Sequence, residues 1–137
     1  MSEKVFRLNL KSTYDESERI PDFVIEIQKE CNLGDKLTGN LMLILSEAVT
    51  NAIIHGNNLD PNKTATVSIS VTPESVTAIV QDEGEGFKPS AQENPLDSDN
   101  LLRAGGRGVF LIQELSDSYE YQDSGSKLIF TMIRSQD

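Results

Sequence analysis

The stretch LMLILSEAVTNAIIHGN, residues 41–57, holds the pattern on which the fold prediction rests. Its apolar residues recur at helical spacing, and with Leu37 upstream they predict an amphipathic helix from about Asp35 to His55. Gly56 ends the pattern, and Pro61 shortly after it confirms the break. A helix with one apolar face needs a second layer to pack on, and the neighbouring segments supply that layer.

Strand and helix patterns follow one another on both sides of this helix. The other predicted elements are, in chain order, a strand at Phe6–Leu10, a helix at Ile20–Cys31, strands at Ala65–Val71 and Ser75–Gln81, a helix at Gly108–Leu115, and strands at Ser118–Gln122 and Lys127–Arg134. The order β-α-α-β-β-loop-α-β-β predicts an α+β fold. We expect a two-layer α/β sandwich with a mixed, largely antiparallel sheet and helices on one face.

Size and composition fit a single domain over residues 1–137. Apolar residues make up 37% of the chain and charged residues 25%, which argues against long disordered regions. The net charge of −10 argues against a nucleic-acid partner, because a protein that binds a phosphate backbone needs clustered Lys and Arg. An acidic surface can attract a basic partner, but it serves equally to keep a protein in solution.

The numbers of cysteines and histidines and the hydropathy of the chain exclude further classes of protein. Cys31 is the only cysteine, which excludes a disulfide framework within the chain. His55 is the only histidine, which excludes a Cys/His metal cluster. The chain has no run of 18 apolar residues, and Met1–Lys11 lacks the apolar core of a secretory signal. We therefore expect a cytoplasmic protein with no membrane partner.

A polar ridge interrupts the apolar helix. Glu47, Asn51 and His55 are spaced four residues apart, so on a regular helix they lie within roughly 80° of one another. A carboxylate beside an amide oxygen suits a hard cation and a general base. The alternative is that the ridge is only the solvated edge of an amphipathic helix. We assign His55 no chemistry and expect it to pack at the helix end or to bond the backbone.

The segment DEGEGF, residues 82–87, follows an apolar strand and is the second candidate. Its alternate glycines permit positive φ and close approach of a ligand to the backbone. Asp82 can accept a hydrogen bond from an exocyclic amine such as adenine N6. The alternative is a glycine-rich turn in which Asp82 caps the backbone.

The segment GGRG, residues 105–108, leads straight into an apolar helix and is the third candidate. Free backbone N–H groups and a positive dipole end make such a helix start suitable for a phosphate. Arg107 can add a charge-assisted contact. The segment is neither a Walker A loop nor a Rossmann fingerprint, because both spacings fail. The alternative is a hinge before a core helix.

Together the three segments give a specific resemblance over nearly the whole chain, from about Phe6 to Arg134. They are LSEAVTNA at 45–52 with His55, Gly56 and Asn57, then DEGEGF at 82–87, then GGRGVFLI at 105–112. The chain resembles the GHKL superfamily of ATPases, and within it the small anti-sigma-factor serine kinases of bacteria. This resemblance implies the Bergerat ATP-binding fold, with ATP and Mg²⁺ as cofactors and a loop at about 88–104 as the ATP lid.

The resemblance also implies site residues by position. Glu47 matches the general base, Asn51 matches the Mg²⁺ ligand, and Asp82 matches the carboxylate that reads the adenine amino group. The remaining nucleotide-binding residues implied are Gly84 and Gly86 at the adenine pocket, Gly106, Arg107, Gly108 and Val109 at the phosphates, and Ser126, where the superfamily often has Thr near the adenine.

The function implied is that of a protein-serine kinase that is also an anti-sigma factor. It would phosphorylate a serine of an anti-sigma-factor antagonist, sequester a sigma factor and form a homodimer, with the edge strand at Phe6–Leu10 as a candidate interface. Histidine autokinase activity is disfavoured, because the single His55 lies inside the nucleotide motif. The alternative is a nucleotide-dependent regulatory binding module or slow ATPase with a partner other than a sigma factor.

Overall fold

The computed structural model describes residues 3–84 and 106–134, so Gly86 and the expected lid at 88–104 lie outside the described residues. The strands are Lys4–Lys11 (β1), Thr64–Val71 (β2), Ser75–Gln81 (β3), Ser118–Gln122 (β4) and Lys127–Ile133 (β5). The helices are Ile20–Cys31 (α1), Asp35–Asn51 (α2) and Gly106–Leu115 (α3), with short helical turns at Tyr14–Arg19, Ala52–Gly56 and Asp123–Gly125.

The five strands form one sheet in the order β1-β2-β3-β5-β4. The predicted α+β sandwich is confirmed. The sheet differs from the mixed one that we expected, because every pair of neighbouring strands is antiparallel. Short connections between β2 and β3 and between β4 and β5 reverse the chain direction each time, and such connections join antiparallel strands only.

The strand register places alternate residues on one buried face of the sheet. A row of partners across four strands runs through Leu8, Val67, Val80 and Leu128. Residues between these, such as Ser68, point to the opposite face, which is more polar. One continuous core joins the buried face to apolar residues of α1, α2 and α3. The helices therefore cover one face of the sheet, as the sequence predicts.

Helix α2 lies at the centre of this core. Its buried residues are Leu41, Ile44, Leu45, Ala48 and Val49. By length and composition alone, the segment Asp35–Gly56 is also long and apolar enough to cross a membrane. The core helix of a soluble protein passes the same test, so this is weak evidence about a membrane.

The last turn of the long helix departs from α geometry. We expected a regular helix to His55, but the α-helix ends at Asn51 and a π-helical turn follows over Ala52–Gly56. The Asn57 amide donates to the Ala52 carbonyl at 2.8 Å, five residues back rather than four. Such π turns are frequent at functional sites.

Strand β1 forms one edge of the sheet, and side chains of the turn Tyr14–Arg19 bond part of that edge. The Arg19 guanidinium donates to the Asn9 carbonyl at 3.1 Å, and the Glu16 carboxylate accepts from the Lys11 amide at 2.9 Å. Arg19 and Glu16 also pair with each other at 3.3 Å. An added strand would need these same backbone groups, so this half of the edge is protected by the chain itself.

Candidate functional site

A cavity lies between α2, its π turn, α3 and the last strands of the sheet. Its lining residues are Ala48, Asn51, Ala52, His55, Gly56, Val80, Ile112, Tyr121, Gly125 and Leu128. Most of these residues are apolar, and a few polar groups stand among them. That composition is typical of small-molecule sites, where apolar walls bind and a few polar groups orient the ligand.

Helix α2 brings the predicted ridge to this cavity only in part. Asn51 lines the cavity and is half-buried. Glu47 lies one turn before it and is also half-buried, but it is not among the lining residues. His55 is exposed and lines the cavity together with Asn51, so it does not pack at the helix end, and a bond from it to the backbone stays a prediction.

Asp82 lies where β3 ends, beside the π turn. Its amide donates to the Ser126 carbonyl at 2.9 Å, which extends the pairing of β3 with β5 by one step. Its Oδ1 accepts from the Gly84 amide at 2.9 Å, so the carboxylate does cap its own turn. Burial raises the pKa of Asp82 above its ordinary value, and the hydrogen bond from Gly84 and the charge of Lys63 oppose that rise.

Gly56 and Gly84 let two backbone segments touch beside this carboxylate. A Cβ added at Gly56 would lie 2.3 Å from Oδ2 of Asp82. A Cβ added at Gly84 would lie 1.7 Å from the Gly56 carbonyl oxygen. Any side chain at either position would force the π turn and the turn after β3 apart. These two glycines therefore hold Asp82 next to Gly56, which lines the cavity.

Ser126 is buried and sits next to Asp82 through its backbone. Its hydroxyl donates to the Asp123 carbonyl at 2.9 Å, within the turn that joins β4 to β5. The preceding Gly125 has a φ of 95° and lines the cavity. The turn therefore accounts for the serine hydroxyl bond, and contact of Ser126 with an adenine base stays a prediction.

Helix α3 begins two residues earlier than the sequence predicted, at Gly106. Residues Gly106, Arg107, Gly108 and Val109 thus form its first turn, where backbone N–H groups lack partners within the helix. Ile112, one turn further on, lines the cavity, and α3 packs against α2. The positive N-terminal end of α3 and the side chain of Asn51 therefore lie on two helices that pack against each other.

Two residues of the site were missed by sequence reasoning. Tyr121 lines the cavity from β4, and its burial together with Tyr119 raises the pKa of its hydroxyl. The sequence did contain a signal for Tyr121, because the alternation of side chains along β4 puts Tyr119 and Tyr121 on the face of the sheet that the helices cover. Asn57 was quoted with His55 and Gly56 in the first motif, but it was given no role in the site. It is fully buried, and its side-chain oxygen accepts from the Glu83 amide at 2.7 Å.

The raised pKa of Asp82 predicts a stability cost that depends on pH. The folded chain holds the proton of the Asp82 carboxyl more tightly than the unfolded chain does. Proton binding at Asp82 therefore contributes fully to folding stability below the ordinary pKa of 3.8, and this contribution is lost as pH rises through the higher pKa of the folded chain. Asp82→Asn keeps the shape and stays neutral. We expect it to be more stable than the wild type in urea at about pH 7.5, with the difference shrinking toward about pH 4. Equal stabilities at both pH values would contradict the burial of a charged Asp82.

Comparison with known proteins places this geometry in a family. The histidine kinase-like ATPase domain family matches residues 10–133. A Heyndrickxia coagulans protein named anti-sigma F factor is 33% identical over 107 residues, which cover 76% of this chain and 70% of that protein. Proteins of the same name from Geobacillus stearothermophilus and Clostridium perfringens are 38% identical over 86 residues and 34% identical over 90.

The aligned segments are shorter in these last two relatives. They cover 61% of this chain and 58% of the Geobacillus protein, and 62% of this chain and 64% of the Clostridium protein. The chain thus spans less than two thirds of either relative. The family match covers nearly the whole fold described above, and the resemblance to GHKL ATPases is confirmed. The chain belongs to the histidine kinase-like ATPase domain family.

Proposed function

We propose that the chain is an ATP-dependent protein-serine kinase that acts as an anti-sigma factor. It would phosphorylate a serine of an antagonist protein and sequester a sigma factor in the cytoplasm. The family and the names of the relatives support the proposal. The observation that carries it is the cavity in which Asn51 and Gly56 are lining residues while Asp82 lies against Gly56.

The residues at the cavity fit ATP and Mg²⁺. Asp82 is a partly buried acceptor with Oδ2 directed at Gly56, and it suits an adenine amino group. The amide oxygen of Asn51 is a hard ligand of the kind that Mg²⁺ takes together with phosphate oxygens. The first turn of α3, Gly106–Val109, offers N–H groups to phosphates, and Arg107 carries a positive charge. When bound, Mg²⁺ neutralises charge on the phosphates.

Glu47 is the residue proposed as general base. It lies one helical turn before Asn51, so a serine hydroxyl presented to the γ-phosphate near the metal would be within reach of its carboxylate. Glu47 would take the hydroxyl proton as the serine oxygen attacks phosphorus and ADP leaves. A water molecule in place of serine would give hydrolysis with the same residues, which is the slow-ATPase alternative.

The proposed partners follow from the same assignment. A net charge of −10 suits a basic surface on a sigma factor. A homodimer is also proposed, but strand pairing along all of β1 is disfavoured. Arg19 and Glu16 already bond Asn9 and Lys11, so a second copy would have to displace them.

The test of this proposal is serine phosphorylation by the wild type and by Glu47→Gln. With labelled ATP, Mg²⁺ and the antagonist encoded nearest the gene, we expect the wild type to label one serine, identified by mass spectrometry. Loss of a general base typically costs about 100-fold or more, so Glu47→Gln should lose transfer to that extent. Its ATP affinity, measured by calorimetry, should stay within about threefold of the wild type.

Glu26→Gln is the matched control, because Glu26 is exposed on α1 and its exchange should leave transfer unchanged. Hydrolysis of ATP without labelling of any antagonist serine would contradict the kinase assignment and favour the regulatory ATPase. Equal transfer by Glu47→Gln and the wild type would contradict the assignment of Glu47 as the base.

A further inference from the structure

A chain of hydrogen bonds through two buried side chains joins the turn that carries Asp82 to Lys63. The Glu83 amide donates to Oδ1 of Asn57 at 2.7 Å, Nδ2 of Asn57 donates to the Ser12 hydroxyl at 2.8 Å, and that hydroxyl donates to the Lys63 carbonyl at 2.8 Å. Asn57 and Ser12 are both fully buried. From this chain we propose that Asn57 is a positioning residue that sets the selectivity of the site for adenine. The inference rests on the proposed function.

The direction of each bond in this chain is fixed by chemistry. A carbonyl can only accept, so the Ser12 hydroxyl must donate to Lys63. Its oxygen then accepts from the amide nitrogen of Asn57, which leaves the amide oxygen for the Glu83 N–H. Asn57 is therefore held at both ends and cannot flip without leaving two buried groups unpaired. An unpaired buried donor is costly, which makes one orientation dominant.

The turn after β3 is held at three consecutive residues. The Asp82 amide bonds Ser126, the Glu83 amide bonds Asn57, and the Gly84 amide bonds the Asp82 carboxylate. Only the middle bond reaches the π turn side of the cavity, because Asn57 directly follows Gly56. Without that bond, only the packing of Gly84 and Asp82 against Gly56 joins the turn to the α2 side. Asp82 would then lose its fixed position relative to the cavity.

Selectivity for adenine depends on that fixed position. A carboxylate discriminates an exocyclic amine from a carbonyl only when its oxygen is held at hydrogen-bond distance. ITP differs from ATP in carrying a carbonyl where ATP carries the amine. Both share the triphosphate, so the ratio of their affinities reports on Asp82 and not on Asn51 or α3. A general loss of stability would weaken the binding of both nucleotides and leave the ratio of their affinities unchanged.

The test is calorimetry with Mg²⁺-ATP and Mg²⁺-ITP on the wild type and four variants. We expect the wild type to prefer ATP by about 10- to 100-fold, the worth of a hydrogen bond to a charged group. Asn57→Leu removes both bonds at nearly constant volume and should reduce the preference to about threefold or less. Asn57→Asp keeps an acceptor for the Glu83 amide but loses the donor to Ser12, so its preference should lie between that of Asn57→Leu and that of the wild type.

The remaining variants distinguish a positioning role of Asn57 from a general effect of the substitution on folding. Asn9→Leu makes the same exchange at an exposed asparagine and should leave the ratio unchanged. Ser12→Ala keeps the Asn57–Glu83 bond but frees the other end of the amide, and it should lower the ratio by at least about threefold. A folded Asn57→Leu with the wild-type ratio overturns the inference. If Asn57→Leu does not fold, an unchanged ratio in Ser12→Ala overturns it.

The outcomes also distinguish this inference from the proposed function. A wild type that binds neither nucleotide contradicts the proposed function and with it the inference. A wild type that binds ATP and ITP equally leaves ATP binding intact but overturns adenine selectivity through Asp82. A wild type that prefers ATP, with variants that all keep the preference, leaves the proposed function standing and removes only the role of Asn57.

Discussion

Asn51→Ala should abolish Mg²⁺-dependent binding of ATP. Asn51 is a lining residue whose amide oxygen suits the metal, and its truncation removes the proposed ligand. Loss of an outer-shell partner of a metal typically costs 10- to 100-fold in affinity, so loss of the ligand itself should cost at least about 100-fold. Calorimetry with Mg²⁺ and with EDTA measures the effect. The wild type should lose most of its affinity in EDTA, and the variant should show no difference between the two conditions.

Two companion variants make this result specific. Thr50→Ala changes the neighbouring residue on α2, which does not line the cavity, and should bind ATP as the wild type does. Asn51→Asp retains an oxygen ligand and should recover part of the metal dependence, although the added charge repels the phosphates. If a folded Asn51→Ala binds ATP as tightly and with the same Mg²⁺ dependence as the wild type, Asn51 is not the metal ligand.

Gly84→Ala should damage both the fold and nucleotide binding. The new Cβ would lie 1.7 Å from the Gly56 carbonyl oxygen, so two backbone segments must separate. Neither segment can yield by changing a rotamer, because both contacts are made by main-chain atoms. Overpacking of this kind typically costs 1–3 kcal/mol, and we expect a loss of about that size in urea unfolding. Because the turn carries Asp82, ATP affinity should fall as well.

Gly39→Ala is the matched control for this exchange. Gly39 is exposed on α2, and nothing lies within 4 Å of its added Cβ. Alanine is a better helix former than glycine, so this variant should gain about 0.5–1 kcal/mol. The same substitution should thus have opposite signs at the two positions. Equal stability of Gly84→Ala and the wild type would mean that the two turns do not touch in solution.

Much of the fold follows from periodicity in the sequence. The strand at Ser75–Gln81 and the helix at Ile20–Cys31 have the predicted bounds, because clear alternation and clear helical spacing define them. Most other ends that moved shifted by one or two residues, whereas the α-helical end of α2 moved by four, from His55 to Asn51. Strand β1 runs over Lys4–Lys11 rather than Phe6–Leu10, since polar ends of an edge strand pair with β2 without showing an apolar pattern.

The site was less predictable than the fold. Asn51 and Asp82 stand out because polar residues interrupt or follow apolar runs, and both reach the neighbourhood of the cavity. The π turn has no signature in apolar spacing, so the end of the α-helix at Asn51 could not be foreseen. The bond from Glu83 to Asn57 joins residues 26 positions apart. Such a bond depends on the packing of two elements, which a local pattern does not encode.

The protected half of β1 has a consequence for how many copies can assemble. Open-ended growth of a sheet into a fibre requires each molecule to offer two compatible edges, one at either end. Arg19 and Glu16 close part of one edge from within the same chain. A pair of side chains on a short turn thus leaves only part of β1 open to a further molecule, which disfavours growth of a sheet through that edge.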